Sequence, residues 1–435
     1  MNQFALRLLA VVIGLAAFFA APASAETASK AEANEKQMES EGAAQTTAQG
    51  LAADGQDSIE ISLLTCAPGR EAYSFYGHTA LRVHNLKNGN DWVFNYGTFD
   101  FNTDHFVWRF MMGQTDYTLG VATFPAFIAA YAHDHRSVTE QVLNLRNDEA
   151  LRLTAGLISI VRQDGWTYRY NFLYDNCTTR ALSDVDHCLD GHIVWAPDTA
   201  LCTFRGIIRE FADAQSPWNA FGQDLILGAE TDVPLSVEQQ LFSPIYAMHH
   251  AMRAVIADGS GRERPLVRTS RLVVPAQTVD ASNAILTPTV ACILAWVLVV
   301  GLMLFERKRR TAVRLFDNFV LLFWGLLGAL VALLFFFSEH PAVGSNWNVL
   351  LLNPVPLVAL VAKLWTDRRG GSRWFPVALT VLALIFLAAT LFAPQRIPGE
   401  LIALAVLAAV RGLFLLFCVE NRTGRNSKRI LTDIR

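Results

Sequence analysis

Apolar positions fall into two regimes along this chain. From Ile59 to Ile256 they alternate with polar residues or recur at short intervals, and from 286 onward they merge into long runs. In the first regime, Ile-Glu-Ile-Ser-Leu-Leu-Thr-Cys from Ile59 reads as a strand closed by the turn signal Pro68-Gly69. Ala80 to Val83 and Asp91 to Asn95 read as two strands of a hairpin whose loop carries Asn88-Gly89. Val138 to Leu145 is a further strand. Asn147-Asp148 can cap a helix in which Leu151, Leu153, Leu157, Ile158 and Val161 recur near helical spacing, with Gly165 just past its end. A second helix begins at Asp175 or Asn176, which puts Cys177 in its first turn. Tyr168, Tyr170, Phe172 and Tyr174 alternate with Arg169, Asn171 and Leu173 and read as a half-buried strand rather than a ligand platform. Residues 203 to 256 look mostly helical, broken at Pro217, Gly222, Gly228 and Pro234.

After a polar stretch at 257–284, five apolar runs follow at 286–305, 316–337, 349–365, 375–393 and 400–418, most near the length that spans a bilayer. The loops between them alternate in charge. Residues 306–310 (Glu-Arg-Lys-Arg-Arg), 367–369 with Arg373, and the tail with Arg422, Arg425, Lys428 and Arg429 are basic, whereas 338–348 and 394–399 hold one basic residue, Arg396. This bias sets the globular region outside and the C-terminus in the cytoplasm, as five spans require. At the other end, Arg7, the apolar run Leu8 to Phe19 and Ala-Pro-Ala-Ser-Ala before Glu26 have the layout of a cleavable secretory signal. Residues 26–57 contain no aromatic residue and read as a flexible linker. The expected order is signal 1–25, linker 26–57, periplasmic domain 58–256, connector 257–284, five-helix membrane domain 285–420 and basic tail 421–435. The expected location is the bacterial inner membrane.

Composition adds little to this. At 435 residues and 52% hydrophobic content the chain has room for one sizeable globular domain beside the spans, and a net charge of -3 leaves no footprint for nucleic acid. Of six cysteines, Cys188 and Cys202 can pair across a short loop in an oxidising compartment, or remain buried free thiols.

The candidate chemistry centres on Cys177 in Asp-Asn-Cys-Thr-Thr-Arg and His78 in Phe-Tyr-Gly-His-Thr-Ala. A thiol becomes a nucleophile when its pKa falls, and a helix N-terminus beside an imidazole lowers it. A third polar group orients the imidazole, for which Asn95 is the candidate ahead of Asn90 and Asp100. Cys66 is a competing nucleophile that follows a strand instead of opening a helix. Two residues so far apart are also compatible with a core histidine and a small buried thiol. Tyr76, Asn176 and Arg180 beside these motifs, and His340 and Asn346 in the loop at 338–348, are candidate substrate contacts; that loop equally reads as an interfacial connection anchored by Trp347. His133-Asp134-His135, His249-His250 and His187-Cys188 lack a strong zinc spacing, and Ser74 and Ser183 lie outside any Gly-x-Ser-x-Gly elbow.

Leu64-Thr65-Cys66-Ala67-Pro68-Gly69, Gly77-His78-Thr79-Ala80-Leu81-Arg82-Val83, Phe94 to Asp100 and Asn176-Cys177-Thr178-Thr179-Arg180 together resemble the Lnb-type lipoprotein N-acyltransferases. Pro217-Trp218 with Gly222, Asp224 and Gly228, and Asn346-Trp347-Asn348 with Asn353-Pro354, are similar to that family as well, so the resemblance covers about 58–370. It implies an α+β papain-like periplasmic domain of permuted NlpC/P60 type, with the His strand before the Cys helix, fused to an all-α membrane domain of five transmembrane helices. By resemblance Cys177 takes the nucleophile's position and His78 the base's, and Asn95 falls where related folds carry a polar third residue. The implied reaction moves an acyl chain from a membrane phospholipid, through a Cys177 thioester, to the α-amino group of a diacylated lipoprotein, with no cofactor. The rival expectations are an NlpC/P60-like peptidase or amidase of the cell envelope, and a non-enzymatic membrane scaffold.

Overall fold

The computed structural model describes residues 59–71, 74–99, 104–276, 286–309, 312–367 and 374–418. The expected signal, linker and basic tail, and Asp100, lie outside these residues.

Strands β1 (Ile59–Cys66), β2 (His78–Asn85), β3 (Asp91–Thr98), β4 (Asp116–Thr123), β5 (Val138–Leu143), β6 (Tyr168–Arg169) and β10 (Val267–Val274) form one antiparallel sheet in the order β10-β5-β1-β2-β3-β4-β6. The period-two alternation of β1 explains why the sheet is covered on both faces. Ile61 and Leu63 pack with Leu81, Phe94 and Tyr96 beneath α3 (Asn147–Arg162) and α4 (Cys177–Cys188), whereas Leu64 and Cys66 join Ala80 and Val93 against Phe127 of α2 (Phe124–His133). A small second sheet, β7 (Gly191–Val194), β8 (Val255–Asp258) and β9 (Glu263–Pro265), lies beside α4.

Three local expectations are corrected. The N-cap of α3 is Arg146, not Asn147 or Asp148, because its backbone N–H donates to Glu149, a fully buried carboxylate that also receives Arg264. The alternating aromatics yield only the two-residue β6; from Asn171 to Asp175 the chain turns, closed by reciprocal backbone bonds of 3.0 and 2.9 Å and by the Asn171 side chain accepting from Leu173 and Tyr174 N–H. The expected connector contributes β9, β10 and the end of β8. Its β10 is an edge strand whose arginines Arg268 and Arg271 pair with Glu60 and Glu140, so it lacks the apolar alternation by which inner strands are recognised.

Helices α5 (Phe204–Gln215) and α6 (Pro217–Ile226) meet at Ser216, which caps α6 with Pro217 in its first turn; Gly222 lies inside α6 and does not break it, and the short α7 (Val237–Gln240) and α8 (Pro244–Ala251) follow. Beyond them, four stretches among the described residues are long and apolar enough to cross a membrane: α9 (Pro288–Arg309), α10 (Arg314–Phe337), Trp347–Thr366, which ends in α11 (Val355–Asp367), and α13 (Gly399–Phe417). The fifth expected span is the shorter apolar α12 (Trp374–Thr390). Buried Arg411 of α13 is held by Glu306 of α9 and Asp317 of α10, the pairing an ionisable group needs in apolar surroundings.

The sheet domain is joined to the apolar helices by a polar bracket. Arg205 of α5, fully buried, donates to Asp224 and Asp232 and to the Leu227 and Gly228 carbonyls. Across the joint, Asn348 Nδ2 donates to the Asp224 and Leu225 carbonyls, Asn346 Nδ2 to the Leu225 carbonyl and Gln395 Nε2 to the Leu227 carbonyl. Gly228 N–H reaches the Ala342 carbonyl at 2.8 Å, and a Cβ on Gly228 would stand 1.6 Å from the Gly344 carbonyl oxygen, so only glycine allows this approach.

Candidate active site

Cys177 is the first residue of α4, and Asn176 puts it there. The Asn176 Oδ1 accepts from the N–H groups of Thr178 (2.8 Å) and Thr179 (3.0 Å), the Thr179 hydroxyl accepts from Asn176 N–H, and Asn176 Nδ2 donates to the carbonyls of Phe172 and Phe242, both at 2.8 Å. The cap therefore ties the helix start to the preceding turn and to residue 242 at once. Cys177 N–H, at the first helical position, has no carbonyl one turn back to bond and so points along the positive end of the helix.

His78 opens β2, opposite Cys66 in register. Its Nε2 lies 3.2 Å from Asn95 Oδ1, and Asn95 Nδ2 is turned toward the Val93 carbonyl at 3.5 Å. An amide oxygen only accepts, so in this pairing Nε2 carries the hydrogen and Nδ1 is the ring's acceptor. The next residues clasp strand to helix: the hydroxyls of Thr79 and Thr178, both buried, lie 3.0 Å apart, and Tyr96 of β3 donates to Asp184 of α4.

Electrostatics separate the two candidate thiols. Burial alone would push the Cys177 thiol up, but the adjacent His78, through charge and hydrogen bond, with the Thr79 N–H and the Thr178 hydroxyl, holds it below the ordinary thiol value. Cys66 is also buried, and desolvation pushes it up to about 12 despite a hydrogen bond with Tyr131. Cys66 is therefore the inert thiol of the two, and Cys177 gives up its proton more readily than an ordinary thiol.

The other sequence candidates divide. Arg180 pairs with Asp175 at 2.6 Å and lies over the Tyr168 ring at 3.8 Å, beside the helix start. Tyr76, two residues before His78, donates to Gln223 of α6 at 2.7 Å and thereby connects the histidine's strand to the joint. Asn176 is spent on capping. Asn346 is buried, its oxygen accepting from Asn348 N–H and Gln395 while its nitrogen donates to Leu225, so it closes the joint and offers no group to a substrate. His340 bonds the Phe110 carbonyl on α1 (Phe106–Met112) and packs on the Phe110 ring. Asn90 accepts at its carbonyl from Asn85 N–H in the β2–β3 loop. The considered Cys188–Cys202 bridge is absent: Cys188, the last residue of α4, is buried in the core and donates to the Val185 carbonyl, and Cys202 lies by Leu235 in a different cluster. Sequence reasoning missed Thr79 with Thr178, Gln223 and Arg205 with its two carboxylates; hydroxyl or charged partners many residues apart leave no local signal.

Two family models match the chain: the Lnb N-terminal periplasmic domain over residues 48–197 and the Lnb transmembrane domain over 280–422. No curated protein and no solved structure matches. The first match spans His78, Asn95 and Cys177, and the second spans the apolar helices and the joint loop at 338–348. With the two domains in this order along one chain, the protein belongs to the Lnb family and has the architecture of the Lnb-type lipoprotein N-acyltransferases.

Proposed function

We propose that the protein is a lipoprotein N-acyltransferase working by two acyl transfers at Cys177. The observation that carries this reading is a thiol held below its ordinary pKa, with its imidazole, on a domain bolted to membrane helices. His78 Nδ1 takes the thiol proton, and the thiolate attacks an ester carbonyl of a phospholipid. A C–S bond forms, the ester C–O bond breaks, and the lysophospholipid leaves with the proton returned by the imidazolium. The α-amino group of a diacylglyceryl-cysteine lipoprotein then attacks the thioester; the C–N bond forms, the thiolate leaves, and imidazole removes the amine proton. Asn95 keeps the ring in the tautomer that both steps need.

The same reading takes the sheet domain as a permuted papain-like arrangement on the periplasmic face and α12 as a fifth span. The 17 residues of α12 rise about 26 Å, a little short of the roughly 30 Å hydrocarbon core, a mismatch the bilayer accommodates by thinning. Donor and acceptor are both lipid-anchored, so fixing the thiol to the membrane domain raises their effective concentration at it.

The test is product formation by the purified full chain in phospholipid vesicles with a diacylated lipopeptide bearing a free N-terminus. The expected products are triacylated lipopeptide and lysophospholipid in equal amounts, both lost in Cys177→Ala. Cleavage of soluble muropeptides without any need for phospholipid would replace this reading with an envelope peptidase.

A further inference from the structure

Among the buried tyrosines around the thiol, Tyr168 stands apart. The hydroxyl of Tyr96 donates to Asp184 and that of Tyr76 to Gln223, but the Tyr168 hydroxyl, on a residue only 6% exposed, is buried with no partner among the described residues. A buried hydroxyl left unpaired costs stability, so such an atom calls for a role outside the resting structure. Its ring is fixed by Arg180 above it and by Trp166, Tyr96 and Tyr117 around it, and its backbone pairs with Tyr117 of β4, so the hydroxyl cannot swing away to a partner.

The direction of that hydroxyl is defined by Gly97. Between Tyr96 and Thr98 the β3–β4 register slips, and Gly97 occupies this bulge at φ 89°, where a side chain is strained. The point where its Cβ would stand lies 3.8 Å from Cys177 Cβ and 3.9 Å from the Tyr168 hydroxyl, with Tyr170 Cε2 as the third wall at 3.6 Å. The absent side chain thus leaves a recess, bordered by the nucleophile's own carbon on one side and an unpaired donor on the other. Burial, and after it the neighbouring Cys177, keep the Tyr168 hydroxyl protonated and so able to donate.

We propose that Tyr168 is a catalytic residue of the acyl transfers, its hydroxyl donating to the oxyanion that forms when Cys177 attacks an acyl carbonyl in the Gly97 recess. As the C–S bond forms, the carbonyl π pair moves onto oxygen, and that oxygen receives Tyr168 O–H from one side and Cys177 N–H from the other. On collapse the pair returns to the carbonyl and the leaving group departs with the imidazolium proton, so Tyr168 keeps its own proton throughout. A donor that is orphaned in the ground state and paired only with the tetrahedral oxygen acts selectively on the transition state.

This proposal rests on Cys177 being an acyl-accepting nucleophile, and the experiment separates the two. The full chain, as wild type and Tyr168→Phe, is given two acyl donors, a phospholipid in vesicles and a short-chain p-nitrophenyl ester, and single-turnover acylation of Cys177 is followed by mass spectrometry. Phenylalanine keeps the ring, its packing under Arg180 and the fold, which is checked on the same samples by the pH profile of Cys177 alkylation. The expected result is a rate of acylation lowered about 10²-fold or more with both donors, half-saturation unchanged, and the alkylation midpoint unmoved. Acylation by Tyr168→Phe within threefold of wild type overturns the proposal. So does an upward shift of the alkylation midpoint, which would make Tyr168 a partner of the thiolate instead. Wild type that accepts the ester but not the phospholipid would remove the lipid reading and leave Tyr168 tested by the ester arm; wild type acylated by neither overturns both.

Discussion

Replacing Arg205 by methionine probes whether the bracket between the two domains is built as described. The guanidinium reaches Asp232 at 2.8 Å, Asp224 at 3.0 Å, the Leu227 carbonyl at 3.0 Å and the Gly228 carbonyl at 3.2 Å from a fully buried position. Methionine fills much of the same volume, so little of the effect comes from a cavity. What remains is two carboxylates short of a cation, of which Asp224 keeps Arg209 and Asp232 keeps the Arg396 N–H, while the Leu227 carbonyl keeps Gln395 and the Gly228 carbonyl the Thr231 hydroxyl. Removing one partner of a buried ion network costs about 3–5 kcal/mol. At about 1.4 kcal/mol per factor of ten, opening of the joint becomes roughly a hundred- to a few-thousand-fold more frequent. Hydrogen exchange of the purified protein in detergent reads this locally: amides of α5 and of 228–232 should lose protection by that factor, while those of β1 and β2 keep theirs. If the joint is what holds the thiol at the membrane, acyl transfer from phospholipid should fall with it while Cys177 alkylation stays at the wild-type rate. Unchanged exchange around Arg205, or a loss of protection spread evenly through the sheet, would refute the reasoning.

Other consequences follow from the same geometry. Because the thiolate is the nucleophile, iodoacetamide should label Cys177 on the neutral side of an ordinary thiol's profile, the rate falling only as acid protonates it; His78→Ala should move the midpoint upward, since burial then acts unopposed, and a profile indifferent to His78 would contradict the pairing. In the folded protein Cys66 should stay unlabelled until pH approaches its raised value of about 12, which peptide mapping of the labelled protein would check. Asn176→Ala removes a cap and leaves the Phe172 and Phe242 carbonyls unpaired, at a cost of about 2–4 kcal/mol in denaturant unfolding of the sheet domain, and should slow Cys177 labelling as well. Gly228→Ala should destabilise the joint as Arg205→Met does, since its Cβ meets the Gly344 carbonyl; wild-type exchange at 342–346 would argue against that contact.

The elements legible in the sequence are those whose own residues carry the pattern. β1 to β3 and β5 carry apolar residues at close intervals because the sheet is buried on both faces, and Asn176 announces α4 because capping chemistry is local. That one residue put Cys177 at a helix start, and the strand ending at the Asn88-Gly89 turn put His78 at the opposite end of β2. Where structure depends on a distant partner the signal vanishes. β10 exists by pairing with β5, and β6 is two residues long, since Asn171 turns the chain toward α4 before an alternating pattern can continue. The loop at 338–348 resembled a substrate contact because Asn346 and His340 are polar between apolar runs; in space those side chains bond backbone on α6 and α1. Arg411 gave no warning of its two carboxylates, which come from two other helices.

The central claim, that Cys177 carries the acyl group, is tested most directly by intact mass of the full chain after incubation with a single defined phospholipid. The account predicts one added acyl mass on wild type, located at Cys177, released by neutral hydroxylamine, absent from Cys177→Ala and discharged by a diacylated lipopeptide. A folded wild type that stays unmodified while the lipopeptide is still acylated, or an acyl mass that persists in Cys177→Ala, would contradict it.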